Sequence, residues 1–364
     1  MPQIDPASGE RIWIVARHRD VLAGLKHPAI GHQLPGSDAR PASEAQRIGA
    51  RQLISLDPPE HTRLRKLVSR AFTPRTVARL EPRIAEIVDG LLAAARRRDV
   101  IDAVADLGEP MPVAVIAELI GVPREDRRRF RVWSAAIMSG APDERDAATL
   151  EFAAFVDALA ARRRVQPADD LVSALAALEI ERDDLVAMVQ LLLIAGQETA
   201  VYLIVNGIRA LLTHPDQWQA LREDPSLAAA AVEEILRYDG PVELAPPRLA
   251  FTDVRLGGGT IPASEKVGLS ILGANRDPDA FQDPDAFDIR RPDVGRHVAF
   301  GHGIHFCLGA GLGRLEGRIM LKRIAEQLPS LRLVHDPSEL GWIEPHFGKL
   351  LLRADRNPSA MPRS

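Results

Sequence analysis

The sequence is nearly free of cysteine, because Cys307 is the only one among its 364 residues. An intrachain disulfide is therefore impossible, and the chain cannot supply the four cysteine ligands of an iron–sulfur cluster. The lack of disulfides is typical of the reducing cytoplasm. The first ten residues are polar and have no apolar centre, so we predict no signal peptide and a cytoplasmic location.

An excess of positive charge is also missing. The chain has 46 lysines and arginines against 50 aspartates and glutamates, which gives a net charge of -4. Proteins that bind nucleic acids usually carry a basic excess, so we predict no nucleic-acid partner. Aromatic residues make up only 4% of the chain, whereas hydrophobic residues make up 46%. This composition predicts a globular protein with a largely aliphatic core.

No apolar run is long and unbroken enough to indicate a membrane span. The most apolar stretch, residues 185–212, is interrupted by polar or charged residues: Gln190, Gln197, Glu198, Asn206 and Arg209. A membrane-spanning helix of about 20 residues would not accommodate so many of them. We therefore predict no membrane association and interpret the stretch as a buried helix of a soluble protein.

Proline and glycine divide the rest of the chain into segments that are mostly helical after Pro59. We predict a strand at 12–15, a loop at 28–44, a turn at 257–259, short strands within 241–266, a loop at 277–291, and helices at 19–26, 169–177, 181–212 and 312–328. No repeat or linker divides the sequence, so we expect one domain spanning residues 1–364.

The most informative segment is Phe-Gly-His-Gly-Ile-His-Phe-Cys-Leu-Gly at residues 300–309. Its glycines allow a tight fold and the close approach of something flat and bulky. Cys307 stands just before a predicted helix, whose N-terminus would stabilise a thiolate and so favour metal binding. Three alternatives compete: a buried apolar cysteine, a zinc site of His302, His305 and Cys307 that has no evident fourth ligand, and a weakly matching dinucleotide loop.

The same segment resembles the cysteine-ligand loop of the cytochrome P450 family. The residues that carry the resemblance are Phe300, Gly301, Gly303, His305, Cys307 and Gly309. It implies that Cys307 is the axial thiolate ligand of heme b, and that Phe300, Gly301 and Gly309 lie against this cofactor. The similarity extends from about Trp13 to Leu352.

Other segments match the family in the expected order. Glu234 and Arg237 are three residues apart and share a helix face. Taken alone, this spacing more often marks a surface ion pair. The resemblance implies a buried network with Arg291 as its third member.

A second match, Ala-Gly-Gln-Glu-Thr at 195–199, resembles the oxygen-activation motif of the family. Small Ala195 would let the helix pass close over the heme. The Thr199 hydroxyl can bond a carbonyl one turn back and loosen the helix locally. Without the cysteine loop we would interpret Glu198 as ordinary helix polarity. With that loop, the resemblance implies that Glu198 and Thr199 deliver protons.

The segment from Asp57 to Arg65 also matches the family, and the resemblance implies that several cationic residues bind the heme propionates. His61 and Arg65 are four residues apart on one helix face, and Arg248 and His305 match further propionate positions. Each residue alone would more often be a surface charge. Together they would offer charge-assisted bonds to the two carboxylates.

The remaining expectations concern substrate and partners. By resemblance the pocket is lined by Leu191, Ile194, Ala195, Leu244 and Ala245, which suits a lipophilic small molecule. Electrons must come from a separate donor, which we expect to be a ferredoxin. Arg63, Lys66 and Arg70 would form its basic docking face or, equally, an ordinary solvated helix face.

The resemblance implies a mainly α fold with a smaller β-containing lobe, and a monomeric heme-thiolate monooxygenase. Its expected reaction is the hydroxylation of a small organic molecule in secondary metabolism. Alternatives are coupling, desaturation, peroxide-driven oxidation, or a heme-binding protein without turnover. The N-terminal segment is shorter than is usual in the family. Ala200, Gly311 and Gly313 replace the residues most frequent at their positions, and the two glycines predict a looser helix.

Overall fold

The computed structural model describes residues 2–4, 9, 11–33, 43–335 and 348–355. The helices in these ranges are α1 (His18–Leu25), α2 (Glu44–Ala50), α3 (Glu60–Ala71), α4 (Pro74–Arg79), α5 (Glu81–Ala95), α6 (Pro110–Ile120), α7 (Arg127–Ser139), α8 (Pro142–Val165), α9 (Leu171–Ala176), α10 (Arg182–Thr213), α11 (Pro215–Glu223), α12 (Ala228–Asp239), α13 (Ile271–Asn275) and α14 (Ala310–Gln327). The strands are β1 (Pro2–Ile4), β2 (Arg11–Val15), β3 (Ile30–Gly31), β4 (Ile101–Asp102), β5 (Arg248–Ala250), β6 (Val254–Leu256), β7 (Gly259–Ile261), β8 (Lys266–Leu269), β9 (Arg332–Leu333) and β10 (Leu351–Arg353).

Helix α10 is the centre of the helical lobe. Its 32 residues include apolar side chains on every side, and it contacts α6, α8, α12 and α14. By length and composition alone it could cross a membrane. Its packing against four other helices identifies it instead as a core helix, as the polar residues in its sequence predicted.

A five-stranded sheet forms most of the smaller lobe. Its strand order is β1-β2-β8-β5-β3. Strands β2 and β8 run parallel, with Trp13 opposite Val267, and the other pairs are antiparallel. Val21 and Leu25 of α1 share with Val267 and Leu269 a hydrophobic core distinct from that of the helical lobe. The structure thus confirms a mainly α fold with a smaller β-containing lobe.

Proline and glycine set several element boundaries for identifiable reasons. Thr73 caps the N-terminus of α4, and Pro74 occupies the first position, where a missing N–H costs nothing. Gly121 ends α6 with a φ of 83°. Gly257 and Gly258 have φ values of 63° and 79°. They form the predicted turn, which joins β6 to β7.

The predicted helices agree closely with the observed ones. Helices α1 and α10 begin and end within one residue of the segments 19–26 and 181–212. Helix α9 starts later than predicted because the Asp170 side chain caps it by accepting from the Ser173 N–H at 2.7 Å. Gly311 and Gly313, which predicted a looser helix, lie inside an unbroken α14. Of the predicted loop 28–44, residues 34–42 lie outside the described residues.

A buried ion-pair network joins α12 to the loop at 277–291. Arg237 donates to both carboxylate oxygens of Glu234, at 2.7 and 2.8 Å, and Arg291 donates to the same carboxylate at 3.2 Å. Glu234 and Arg237 are 0% exposed and Arg291 is 8% exposed. The guanidinium groups also donate to loop carbonyls, including those of Pro284 and Ala286. This network holds in place a loop that contains turns but no helix or strand.

We expect Glu234→Ala to lower the free energy of unfolding by about 3–5 kcal/mol, because it leaves two guanidinium groups buried without their counter-ion. Chemical denaturation measures the change. The matched control is Asp285→Asn in the same loop, whose carboxylate is 88% exposed where it pairs with Arg276. Its effect should stay below about 1 kcal/mol. Equal effects of the two substitutions would contradict the role of the buried network.

Candidate functional site

The loop before α14 folds back on itself and presents Cys307. The main-chain N–H of Cys307 donates to the carbonyl oxygen of Phe300 at 2.9 Å, and that of Gly301 donates to the Val298 carbonyl at 2.8 Å. Gly301 and Gly303 have φ values of 70° and 76°, a region that favours glycine. The backbone of this loop therefore favours glycine at Gly301 and Gly303, whereas Gly309 has a φ of -82°, which any residue can adopt.

The environment of Cys307 shifts the pKa of its thiol in two opposing directions. Its side chain is exposed, yet the surrounding protein desolvates it enough to raise the pKa of the thiol. Hydrogen bonds from the main-chain N–H groups of Gly309 and Ala310, and the charges of Arg65 and Arg314, act to lower that pKa. A metal ion bound at the sulfur would lower the pKa of the thiol and so favour the thiolate.

The structure supports neither the zinc-site hypothesis nor the dinucleotide-loop hypothesis for this loop. Among the described residues, no group of three or more His, Cys, Asp or Glu side chains is placed to hold a metal ion. His302, His305 and Cys307 thus do not form a zinc site by themselves. The Gly-His-Gly segment leads into a short 3₁₀ turn and not into the first turn of a helix, as a dinucleotide loop would.

Phe300, expected to lie against the cofactor, is held by a second ion-pair cluster. The Arg314 guanidinium lies over its ring, 4.4 Å from the centroid. Arg314 and His297 both bond the Glu233 carboxylate, at 2.7 and 2.9 Å. Burial raises the pKa of Glu233, but these two partners outweigh it and bring the pKa down to about 2. Glu233 therefore stays ionised and anchors both sides of the loop.

The structure brings together the cationic residues that sequence analysis assigned to the propionates. The rings of His61 and His305 lie 4.2 Å apart between centroids. Arg65 is close enough to influence the pKa of both His61 and Cys307, and Arg248 influences that of His305. Side chains from α3 and β5 thus meet around His305, and Arg65 of α3 also lies near Cys307.

These groups have buried nitrogens without a hydrogen-bond partner among the described residues. They are both ring nitrogens of His61, Nε2 of His305 and Nε of Arg248. Such groups are costly to bury unless something accepts from them. Burial and the neighbouring positive charges lower the pKa of His305 to about 3, and burial lowers the pKa of His61 and of Arg248. The donor set therefore fits anionic acceptors such as carboxylates.

Two further residues, His32 and Asp57, belong to this cluster but were not predicted from the sequence. The His32 ring lies 4.9 Å from that of His305, nearly perpendicular to it. Asp57 accepts from the main-chain N–H of His32 at 2.7 Å. Asp57 belongs to a segment matched to the family, but His32 stands in a loop with no motif. Only the pairing of β3 with β5 brings it here.

On α10 the expected hydrogen bond of Thr199 is confirmed. Its hydroxyl donates to the Ala195 carbonyl at 2.7 Å, although α10 remains continuous. Ala195 is exposed and Glu198 and Thr199 are half-buried midway along a helix that is otherwise largely buried. Glu198 lines two cavities, of about 380 and 330 Å³. Water can therefore approach the carboxylate from either one.

The residues assigned to the substrate pocket are not all equally accessible. Ile194 lines the 330 Å³ cavity, which lies between α2, α7, α8 and α10. Leu191 is half-buried against the larger core. Leu244 is 43% exposed, whereas the Ala245 side chain is buried in the smaller core. The structure thus presents Leu244, and not Ala245, as an accessible apolar side chain of that segment.

The basic face suggested on α3 consists of Arg63, Lys66 and Arg70, and one of these residues already forms ion pairs within the protein. Arg63 donates to the buried Asp184 of α10 at 2.6 Å and to Glu60 at 3.0 Å. Lys66 is exposed, and the side chain of Arg70 lies outside the described residues. The sequence could not show that Arg63 ties α3 to α10, because the two residues are 121 positions apart.

Comparisons with known proteins agree on one family. The family model described as Cytochrome P450 matches residues 143–329. The chain is 45% identical to the vitamin D(3) 25-hydroxylase of Pseudonocardia autotrophica, covering 97% of this chain and 89% of that protein. It is 44% identical to the cytochrome P450 monooxygenase PikC of Streptomyces venezuelae, covering 92% and 82%. The solved structure of the cytochrome P450 PksS from Bacillus subtilis superimposes with a TM-score of 0.89 at 34% identity, covering 97% and 93%.

The geometry of the cysteine loop predicts a cost for any side chain at Gly303. A Cβ there would lie 3.0 Å from the Leu25 carbonyl oxygen, in addition to the positive φ. We expect Gly303→Ala to lower the free energy of unfolding by about 1–2 kcal/mol or more. Gly295→Ala is the control, since nothing lies within 4 Å of its Cβ position. Thermal unfolding measures both, and an unchanged Gly303→Ala protein would contradict this account of the loop.

Proposed function

The chain belongs to the cytochrome P450 family and is a monooxygenase, and on this premise we propose that it binds heme b through the Cys307 thiolate. The observation that carries the proposal is that His305, in the loop of Cys307, lies against His61, and that both residues have buried ring nitrogens with no hydrogen-bond partner among the described residues. A thiolate for the iron and donors for the carboxylates are the two attachments that this cofactor requires. Each is supplied by residues that the fold brings together from separate segments.

The donors for the two propionates would be His61 and Arg65 of α3, Arg248 of β5 and His305 of the cysteine loop. Phe300, Gly301 and Gly309 would lie against the ring, where small residues and a fixed aromatic allow close approach. A heme with a thiolate ligand favours cleavage of the O–O bond and so supplies the oxidising power. The protein then has to position the substrate, exclude competing water and deliver protons.

Proton delivery is the proposed role of Glu198 and Thr199. Glu198 borders two cavities and can exchange protons with water there. The Thr199 hydroxyl donates to the Ala195 carbonyl, so its oxygen remains able to accept a hydrogen bond from a water molecule or from the reacting oxygen. Glu198 can thus supply protons through water, while the Thr199 oxygen would accept a hydrogen bond from the water molecule that passes them on.

The proposed reaction is hydroxylation of a lipophilic small molecule in bacterial secondary metabolism. The names of the relatives support this choice, since they include a vitamin D(3) 25-hydroxylase and a P450 of a polyketide synthase pathway. Exposed Leu244 and half-buried Leu191 and Ile194 would contribute apolar contacts. Buried Gln190 and Thr149, hydrogen-bonded at 3.1 Å beside the 330 Å³ cavity, would favour a substrate that also carries polar groups.

Partners and location follow from the same proposal. Electrons would come from a separate ferredoxin-type protein, because one cysteine cannot hold an iron–sulfur cluster in this chain. We propose a cytoplasmic monomer, folded as one domain, with no nucleic-acid or membrane partner. Because Arg63 is bound to Asp184, the electron donor would have to use other charges, Lys66 among them.

Cys307→Ala tests the proposed iron ligand. The purified wild-type protein, reduced with dithionite and exposed to carbon monoxide, should show the red-shifted Soret band of thiolate ligation. Cys307→Ala should lack it, because no other thiol is present. His302→Ala is the matched control on the same loop and should retain the band. A wild-type spectrum typical of histidine ligation, or no heme at all, would contradict the proposal.

Thr199→Ala tests proton delivery in the holoenzyme supplied with ferredoxin, its reductase and a substrate that turns over. We expect product formation to fall roughly 10²-fold, the lower end of what positioned proton transfer contributes, while hydrogen peroxide release rises. Thr213→Ala is the control, because Thr213 makes the same bond one turn back on α10, to the Arg209 carbonyl at 2.9 Å. Similar losses in the two variants would indicate a helix effect and contradict the proposed role.

A further inference from the structure

One member of the cationic cluster has no role in the proposed heme site so far. His32 follows β3 directly, and its ring lies 4.9 Å from that of His305. It also lies close enough to His61 and Arg248 to interact electrostatically with both. Its Nε2 is buried and has no hydrogen-bond partner among the described residues. None of the motifs that carry the family resemblance includes His32, so its assignment comes from the structure.

Two hydrogen bonds fix the main chain at His32. One carboxylate oxygen of Asp57 accepts from the main-chain N–H groups of His32 and Gln33, at 2.7 and 2.9 Å. Burial lowers the pKa of the His32 ring, and the Pro247 carbonyl acts in the opposite direction. Nε2 is the ring nitrogen that is buried without a hydrogen-bond partner among the described residues.

We propose that His32 is a further heme-binding residue, whose Nε2 donates a charge-assisted hydrogen bond to a propionate carboxylate. This inference rests on the proposed heme site. The bond is strongest when the ring is a doubly protonated imidazolium, because donor and acceptor are then both charged. A carboxylate at Nε2 supplies the negative charge that favours this form.

The charges around His32 come from four segments. Asp57 stands before α3, His61 and Arg65 are on α3, Arg248 is on β5, and His305 is on the cysteine loop. Without a ligand, burial and Arg248 lower the pKa of His32, and Asp57 opposes them. Asp57 already accepts two main-chain N–H groups. An added carboxylate would raise the pKa, so the bond strengthens as the pH falls.

The proposal predicts a pH-dependent effect of His32 on heme retention. Heme loss from the purified holoenzyme to excess apomyoglobin is followed at pH 6 and pH 8, on either side of the ordinary histidine pKa. His32→Ala should lose heme roughly tenfold faster than wild type at pH 6, as expected for a lost hydrogen bond to a charged group. The ratio should be smaller at pH 8, where the ring is neutral and the bond loses its charge assistance. His32→Gln keeps a neutral donor, so its ratio to wild type should be smaller at pH 6 than that of His32→Ala.

Gln33→Ala is the matched control for disturbance of the loop. Gln33 is the next residue, and its side chain donates to the Ser55 carbonyl at 3.3 Å. It should lose heme within about twofold of wild type at both pH values. Equal acceleration in Gln33→Ala and His32→Ala, or a His32→Ala protein that retains heme like wild type at pH 6, would overturn the inference. A wild-type chain that binds no heme would instead contradict the proposed function itself, so the two failures are distinguishable.

Discussion

The buried carboxylate of Glu234 is the contact on which the arrangement of the cysteine loop depends. It neutralises two buried guanidinium groups, of which Arg237 also donates to the Asn275 carbonyl at 3.1 Å. The Asn275 side chain accepts in turn from the Val298 N–H at 2.8 Å. Val298 is where the cysteine loop starts to fold back, through its bond from Gly301. A continuous series of buried polar contacts thus connects α12 to the loop that carries the proposed iron ligand.

Glu233, the residue before Glu234, acts on the same loop from another direction. Because successive helix residues point about 100° apart, one carboxylate faces the loop at 277–291 while the other reaches His297 and Arg314. Arg314 then fixes Phe300 by stacking. Two adjacent acids on one helix therefore restrain both the start of the cysteine loop and the helix that follows it. Such restraint on every side is what positions a cofactor ligand reproducibly.

The contacts that could be predicted from the sequence join residues that are close together in the chain. Those that could not be predicted join distant segments. Contacts within one helix turn were predictable, such as Glu234 with Arg237 and Thr199 with the Ala195 carbonyl. So was the glycine turn between β6 and β7, because its φ values leave few other residues possible. His32 and Arg63 could not be assigned from local pattern, since each depends on a partner that only the tertiary fold brings near. The family motifs identified some residues of these contacts that are distant in the sequence, Arg291 among them.

The proposed propionate site also bears on stability. It gathers two arginines and three histidines around one carboxylate, that of Asp57, which main-chain N–H groups already engage. Desolvating like charges together opposes folding. A dianionic cofactor would reverse the sign of this interaction, because each donor would then gain an acceptor. Heme binding at this site would therefore be coupled to folding, because a ligand that binds only the folded chain stabilises it by mass action. The same group of buried donors would favour a ligand that carries two carboxylates.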